Sequence, residues 1–69
     1  MTKTEIIEEL DRRMKDAHEN LEVFQNIADK FDKKGDEINA SYFGQKMSKY
    51  AAVWCALQDV KEMLEGMEQ

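Results

Sequence analysis

The sequence contains no proline and only three glycines, one cysteine and one histidine among its 69 residues. Without proline and with little glycine, the chain lacks the usual breaks of regular structure, and this favours long helices. A single cysteine, Cys55, excludes a disulfide framework. No apolar stretch approaches the roughly 20 residues that cross a bilayer, and the first residues lack a signal peptide's apolar segment. We therefore expect a soluble, cytoplasmic protein with no membrane partner.

The charge balance is acidic: 15 Asp and Glu oppose 10 Lys and Arg, for a net charge of −5. Such a balance ranks nucleic acid below protein as a partner, because binding a polyanion needs a basic stripe. The small size matters as well. Below about 70–80 residues a single core rarely supplies more than a few kcal/mol, so small proteins rely on disulfides, a metal, oligomerisation or very regular helix packing. We expect the last two here.

A first helix is predicted over residues of about 3–34. Thr2 and Glu5 have the spacing of a capping box at its start, and Gly35 is a candidate left-handed residue just after its end. Between them, apolar residues recur in steps of three and four, as in a heptad seam. This seam consists of Ile7, Leu10, Met14, Ala17, Leu21, Phe24, Ala28 and Phe31.

Charge pairs accompany the seam at the i,i+4 spacing that stabilises a helix. They are Glu8–Arg12, Glu9–Arg13, Asp11–Lys15 and Asp29–Lys33.

A second helix is predicted over residues of about 37–65, with Asp36 as its N-cap and Gly66 as a second left-handed stop. Two helices of nearly equal length joined at Gly35-Asp36 are expected to fold back antiparallel. Reflection about that turn places large residues opposite small ones, such as Phe43 opposite Ala28 and Trp54 opposite Ala17, as close packing requires. The predicted fold is all-α, a single helical hairpin domain over residues 1–69.

Residues 51–57 are apolar without interruption and cover the whole circumference of the second helix. A helix that is apolar all round is buried all round, whereas a hairpin covers only one side of it. We therefore expect two hairpins to form a homodimeric four-helix bundle. The alternative is that the surplus apolar surface binds a different protein. The predicted dimer or partner interface consists of Val23, Ile27, Ala52, Val53, Cys55, Ala56 and Val60.

The sequence offers little catalytic chemistry. His18 lacks the Glu-x-x-His spacing of bundle metal sites, since Lys15 stands three residues before it. Cys55 lies between Trp54 and Ala56, so we expect a buried, unreactive thiol. We predict no enzymatic activity, no metal and no cofactor.

The predicted function is that of a small, non-catalytic helical protein that binds another protein and regulates it. Its surface for an unidentified protein partner is predicted at Tyr42, Glu8, Glu9, Glu62 and Glu65. One alternative is an acidic inhibitor that docks on a nucleic-acid-binding groove of its partner. A second is an RNA-binding four-helix bundle that uses the basic turn end, and a minimal metal or enzyme site at His18 ranks last. The candidate RNA-binding residues are Lys30, Lys33 and Lys34.

Overall fold

The computed structural model describes residues 1–67. Helix α1 spans Lys3–Lys33, helix α2 spans Glu37–Gly66, and the two pack against each other as a hairpin. This confirms the predicted all-α architecture of two packed helices. We call the end with the connection between α1 and α2 the turn end, and the other the open end.

The start of α1 is held by a reciprocal pair of hydrogen bonds. The backbone N–H of Glu5 donates to the hydroxyl of Thr2 at 3.2 Å, and the backbone N–H of Thr2 donates to the carboxylate of Glu5 at 3.2 Å. Both bonds satisfy N–H groups that a helix start leaves without partners. The predicted capping box is confirmed.

The turn is built on a left-handed glycine. Gly35 has φ = 77°, its N–H donates to the carbonyl of Asp32 at 3.0 Å, and the next N–H, of Asp36, donates to the carbonyl of Phe31 at 2.9 Å. These two bonds form a Schellman motif, which satisfies the last carbonyls of α1. Asp36 also caps α2, since its carboxylate accepts from the N–H of Asn39 at 3.2 Å. Asp36 therefore takes part both in the end of α1, through its N–H, and in the start of α2, through its carboxylate.

The half of the hairpin near the turn is filled by interleaved aromatic rings. The Phe43 ring stacks between Phe24 and Phe31, with centroids 6.0 and 5.6 Å away, and Phe24 in turn lies 5.6 Å from Tyr50. Phe43 and Phe24 each insert between two rings of the facing helix, which explains why small residues stand directly opposite large ones in the sequence.

The hairpin buries little of its own surface. Among residues 1–67 only Met14, at 8% exposure, and Ala17, at 4%, are buried, and Trp54 is half-buried. The accessible surface is 5325 Å², whereas a compact monomer of this mass exposes about 4,500 Å². The molecule is a thin rod with extents of 52 × 15 × 13 Å. Such a shape leaves one side of each helix without a packing partner.

Two local predictions are wrong. Gly66 is not a left-handed stop, because it is the last helical residue and the N–H of Met67 continues the helical pattern to the carbonyl of Met63 at 3.2 Å. Cys55 is exposed rather than buried. The hairpin covers only the side of α2 that faces α1, and Cys55 lies outside it.

The predicted charge pairs form only in part. Glu9 binds Arg13 at 3.1 Å and also pairs with Arg12. Asp11 instead reaches across to Lys61 on α2, at 2.7 Å. A cross-helix partner thus replaces the i,i+4 partner at this position.

Candidate interaction surfaces

Two grooves run between the helices on opposite sides of the hairpin, and each is bordered by one stripe of residues from each helix. The first groove is lined in its middle by Arg13, Asn20 and Val53. Steps of three and four residues extend these positions along both helices. We call the resulting surface the apolar face. On α1 it comprises Ile6, Glu9, Arg13, Asp16, Asn20, Val23, Ile27 and Lys30, and on α2 it comprises Asn39, Tyr42, Lys46, Lys49, Val53, Ala56, Val60, Met63 and Met67.

The apolar face holds most of the large hydrophobic side chains that the hairpin leaves exposed. Six of the eight such residues in the described part of the chain belong to it, and they are between 40% and 76% exposed. The other two are Met1 and Ile38. The six are Val23, Tyr42, Val53, Val60, Met63 and Met67. Because monomeric proteins rarely leave such side chains contiguous, this face is a candidate interaction surface.

The apolar face is polarised along its length. Its turn half carries Lys30, Lys46 and Lys49 and no carboxylate, whereas its open half carries Glu9 paired with Arg13, and Asp16 lies near the middle. The ammonium of Lys46 lies 5.5 Å from the ring centroid of Tyr42. The lysine stems thus extend the apolar surface towards the turn while their charges stay in water.

The second groove is lined by His18, Leu21, Ala51, Trp54 and Cys55. The stripes that border it form what we call the acidic face. Its carboxylates outnumber its cations by eight to one, the one being Lys15. On α1 the face comprises Glu8, Asp11, Lys15, His18, Glu22, Gln25, Asp29 and Asp32, and on α2 it comprises Glu37, Ser41, Gly44, Ser48, Ala51, Cys55, Gln58, Glu62 and Glu65.

Lys61 joins the acidic face from the edge of the core. Its ammonium lies 2.7 Å from Asp11 and 3.9 Å from Glu65, and the hydrogen bond to Asp11 raises the pKa of Lys61 above its usual 10.5. Nearby, the amide of Gln58 donates to the carboxylate of Glu62 at 3.0 Å. Two separate sets of polar contacts thus join side chains at the open end of this face.

His18 and Cys55 share the groove on the acidic face without forming a recognisable catalytic or metal site. The imidazole Nδ1 of His18 lies 3.5 Å from the carboxylate of Glu22, and both side chains are more than half exposed. Within residues 1–67, no group of three or more His, Cys, Asp and Glu side chains is placed to hold a metal ion. The absence of catalytic activity stays a prediction.

The predicted interface residues do not share one surface. Five of the seven, Val23, Ile27, Val53, Ala56 and Val60, lie on the apolar face. Cys55 lies on the acidic face, because it is two residues after Val53 and residues two apart on a helix point about 200° away from each other. Ala52 projects from the side of α2 that faces away from α1.

The predicted interface left out Met63 and Met67, which continue the apolar face to the open end. Their signal was present, because steps of three and four from Val53, through Ala56 and Val60, lead to both.

The other predicted surfaces are also divided. Tyr42 lies near the turn end, where its ring meets Phe43 edge to face at 5.0 Å, whereas the four predicted glutamates lie near the open end. The structure therefore does not unite them in one partner-binding patch. Glu8, Glu62 and Glu65 belong to the acidic face, and Glu9 belongs to the apolar face.

The three candidate RNA-binding lysines are close in sequence but diverge in space. Lys30 belongs to the apolar face, Lys33 projects from the back of α1, and the ammonium of Lys34 lies 5.9 Å from the ring centroid of Phe31. Asp29 and Asp32 intervene. A continuous basic stripe, such as a polyanion needs, is not formed by these three residues.

Comparisons with protein-family models, with curated proteins and with solved structures found no match. Across the described residues, neither helix is both long and apolar enough to span a membrane.

Proposed function

We propose that the protein is a non-catalytic interaction module that works as a homodimer, in which two hairpins join through their apolar faces into a four-helix bundle. The acidic faces then point outward on opposite sides of the bundle. The dimer therefore has two identical acidic faces, and each can bind a partner. The observation that carries this proposal is the concentration of exposed large hydrophobic residues on a single face.

The dimensions of the apolar face suit a second copy of the same hairpin. A face 52 Å long and 15 Å wide spans about 800 Å², which is the area that each partner contributes to a standard-size interface. A second hairpin also supplies the missing layer, since two hairpins stacked face to face enclose a shared core. This arrangement removes the excess surface of the thin rod.

The test compares two single variants of α2, each with a new glutamate at one of two neighbouring positions. Val53→Glu puts a carboxylate in the middle of the apolar face, and Ala52→Glu puts it on the side of α2 that faces away from α1. Sedimentation equilibrium at micromolar concentration should find dimers for the parent protein and for Ala52→Glu. The Val53→Glu variant should be monomeric or dissociate at least about tenfold more readily, because an unpaired buried charge costs several kcal/mol.

A parent protein that stays monomeric at these concentrations contradicts the proposal and leaves the apolar face to a different protein. A dimer that Ala52→Glu weakens more than Val53→Glu does contradicts the assignment of the face. Circular dichroism of both variants is the control and should show that they retain the helices.

A second candidate function follows from the acidic face: inhibition of a partner whose basic groove normally holds nucleic acid. Its support is the excess of carboxylates on that face, which favours association with a basic surface. A lysine- and arginine-rich peptide is a suitable probe. Binding should weaken at high salt and on the double change Glu62→Gln and Glu65→Gln. The change Glu19→Gln on the back of α1 should matter less, and salt-insensitive binding contradicts this candidate.

A further inference from the structure

The polarity of the apolar face points to how the two copies are arranged. We infer that the hairpins of the dimer lie with their turns at opposite ends of the bundle, so that the lysine-bearing half of each apolar face covers the open half of the other. This inference rests on the proposed homodimer. Two-fold symmetry of two stacked hairpins allows one other arrangement, with both turns at the same end.

Charge separates the two arrangements. With the turns at the same end, Lys30, Lys46 and Lys49 of one copy meet the same residues of the other, on a half of the face that holds no carboxylate. With the turns at opposite ends, these lysines instead approach a half on which Glu9 is paired with Arg13, so that cations are not gathered together. Like charges brought together at an interface are unfavourable, which favours the opposite-end arrangement.

The side chains of α2 are also self-complementary in the opposite-end arrangement. When the two-fold axis lies between Val53 and Ala56, each Val53 faces the small Ala56 of the second copy. The stems of the lysines then cover the exposed aliphatic and methionine side chains, and each Tyr42 meets a methionine, a favourable sulfur–aromatic contact. The matching pairs are Lys49 with Val60, Lys46 with Met63 and Tyr42 with Met67.

The stripe on α1 agrees with the same axis. Ala17 shares a groove with Tyr50, Val53 and Leu57, so the midpoint of α1 lies at the height of the midpoint of α2. An axis at that height brings Ile6 of one copy against Ile27 of the other, and Arg13 against Asn20. Ile6 and Ile27 are then covered, while Asp16 of each copy lies beside the axis.

Spin-label distances test this arrangement. Cys55 lies at the height of the proposed axis and outside the apolar face, so labels there should be close, at roughly 20–30 Å, in either arrangement. Labels at the turn distinguish the two. In a Cys55→Ser background, Lys33→Cys should give about 50 Å, since each label then lies about 25 Å along the helix axis from the centre. Ile38→Cys, at the same height on α2 and 84% exposed, should give a similar distance.

Each outcome has one meaning. A short distance between Cys55 labels together with about 50 Å between turn labels supports the inference. Distances of roughly 20–30 Å for both the Cys55 labels and the turn labels mean that the turns lie at the same end, which overturns it. Absence of dipolar coupling at Cys55, with a monomer in sedimentation, instead refutes the homodimer itself. Because residues 33 and 38 are exposed and away from the apolar face, the two labelled variants report the arrangement independently.

Discussion

The ammonium of Lys61 lies 2.7 Å from the carboxylate of Asp11 and ties α2 to α1 near the open end of the hairpin. Direct reflection about the turn places Lys61 opposite the apolar Leu10. The long lysine side chain resolves this mismatch, because its stem lies along the core edge while its charge reaches the neighbouring carboxylate. Lys61 is accordingly only 26% exposed, against 51% for Asp11.

This contact predicts a loss of stability in alkali. The hydrogen bond to Asp11 raises the pKa of Lys61 in the folded protein. Its stabilisation is therefore complete below the unfolded pKa, near 10.5, and disappears as the pH rises through the folded pKa. Urea unfolding at a fixed protein concentration should show a steeper fall above this pH for the parent protein than for Lys61→Met. Lys15→Met is the matched control and should keep the parent's slope.

The cap of α2 predicts the opposite dependence at low pH. Hydrogen bonds from the side chain and then the backbone N–H of Asn39 lower the pKa of Asp36 below its usual 3.8. Its stabilisation is present above the unfolded pKa and is lost as the pH falls through the folded pKa. Asp36→Asn keeps a capping oxygen but cannot titrate, so its unfolding midpoint should fall less in acid. An unchanged acid profile speaks against the cap, and Asp29→Asn controls for charge.

Replacing the two internal glycines by alanine should change the stability of the hairpin in opposite directions. Gly35 needs its left-handed conformation, so Gly35→Ala should destabilise the hairpin by about 1–2 kcal/mol. Gly44 lies inside α2, and a Cβ added there meets no atom within 4 Å beyond its chain neighbours and the adjacent helix backbone, so Gly44→Ala should stabilise the hairpin by about 0.5–1 kcal/mol. Thermal unfolding measures both. Because Gly44 belongs to the acidic face, a Gly44→Ala variant that no longer dimerises indicates an interface there.

Phe43 should be the most costly aromatic residue to remove. Its ring contacts those of Phe24, Phe31 and Tyr42, and Phe43→Ala should cost about 3 kcal/mol through lost contacts and the cavity left behind. Ile38→Ala at the same end is the control and should change stability by less than about 0.5 kcal/mol, since Ile38 is almost fully exposed. Equal losses of unfolding free energy for the two variants would contradict the stacking of Phe43 between Phe24 and Phe31.

The thiol of Cys55 should react in the native protein. It is exposed in the hairpin and lies on the acidic face, so the proposed dimer leaves it accessible. A chromogenic disulfide reagent should modify it fully without denaturant, and the modified protein should still sediment as a dimer. Protection that is released only by urea indicates that the acidic face is covered instead.

Local sequence determines the ends and the pairing of the two helices. Thr2 and Glu5 are three residues apart, and Gly35 and Asp36 are adjacent, so their hydrogen bonds depend on a single turn of chain. The alternation of Phe and Ala along the seam likewise predicted that large residues lie opposite small ones of the facing helix. Gly66 shows the limit, because a glycine permits a left-handed stop without requiring one.

The division of the remaining surface was decided by tertiary structure alone. Val53 and Cys55 belong to one apolar run in the sequence, yet the packing of α2 on α1 turns them towards opposite faces. Tyr42 and the acidic residues with which the sequence grouped it are separated along the length of the hairpin, by contrast, which the helical rise already fixes. Which face a residue joins depends on how both helices are rotated about their axes. That rotation is set by contacts between residues far apart in the chain, such as Phe24 with Tyr50 and Asp11 with Lys61.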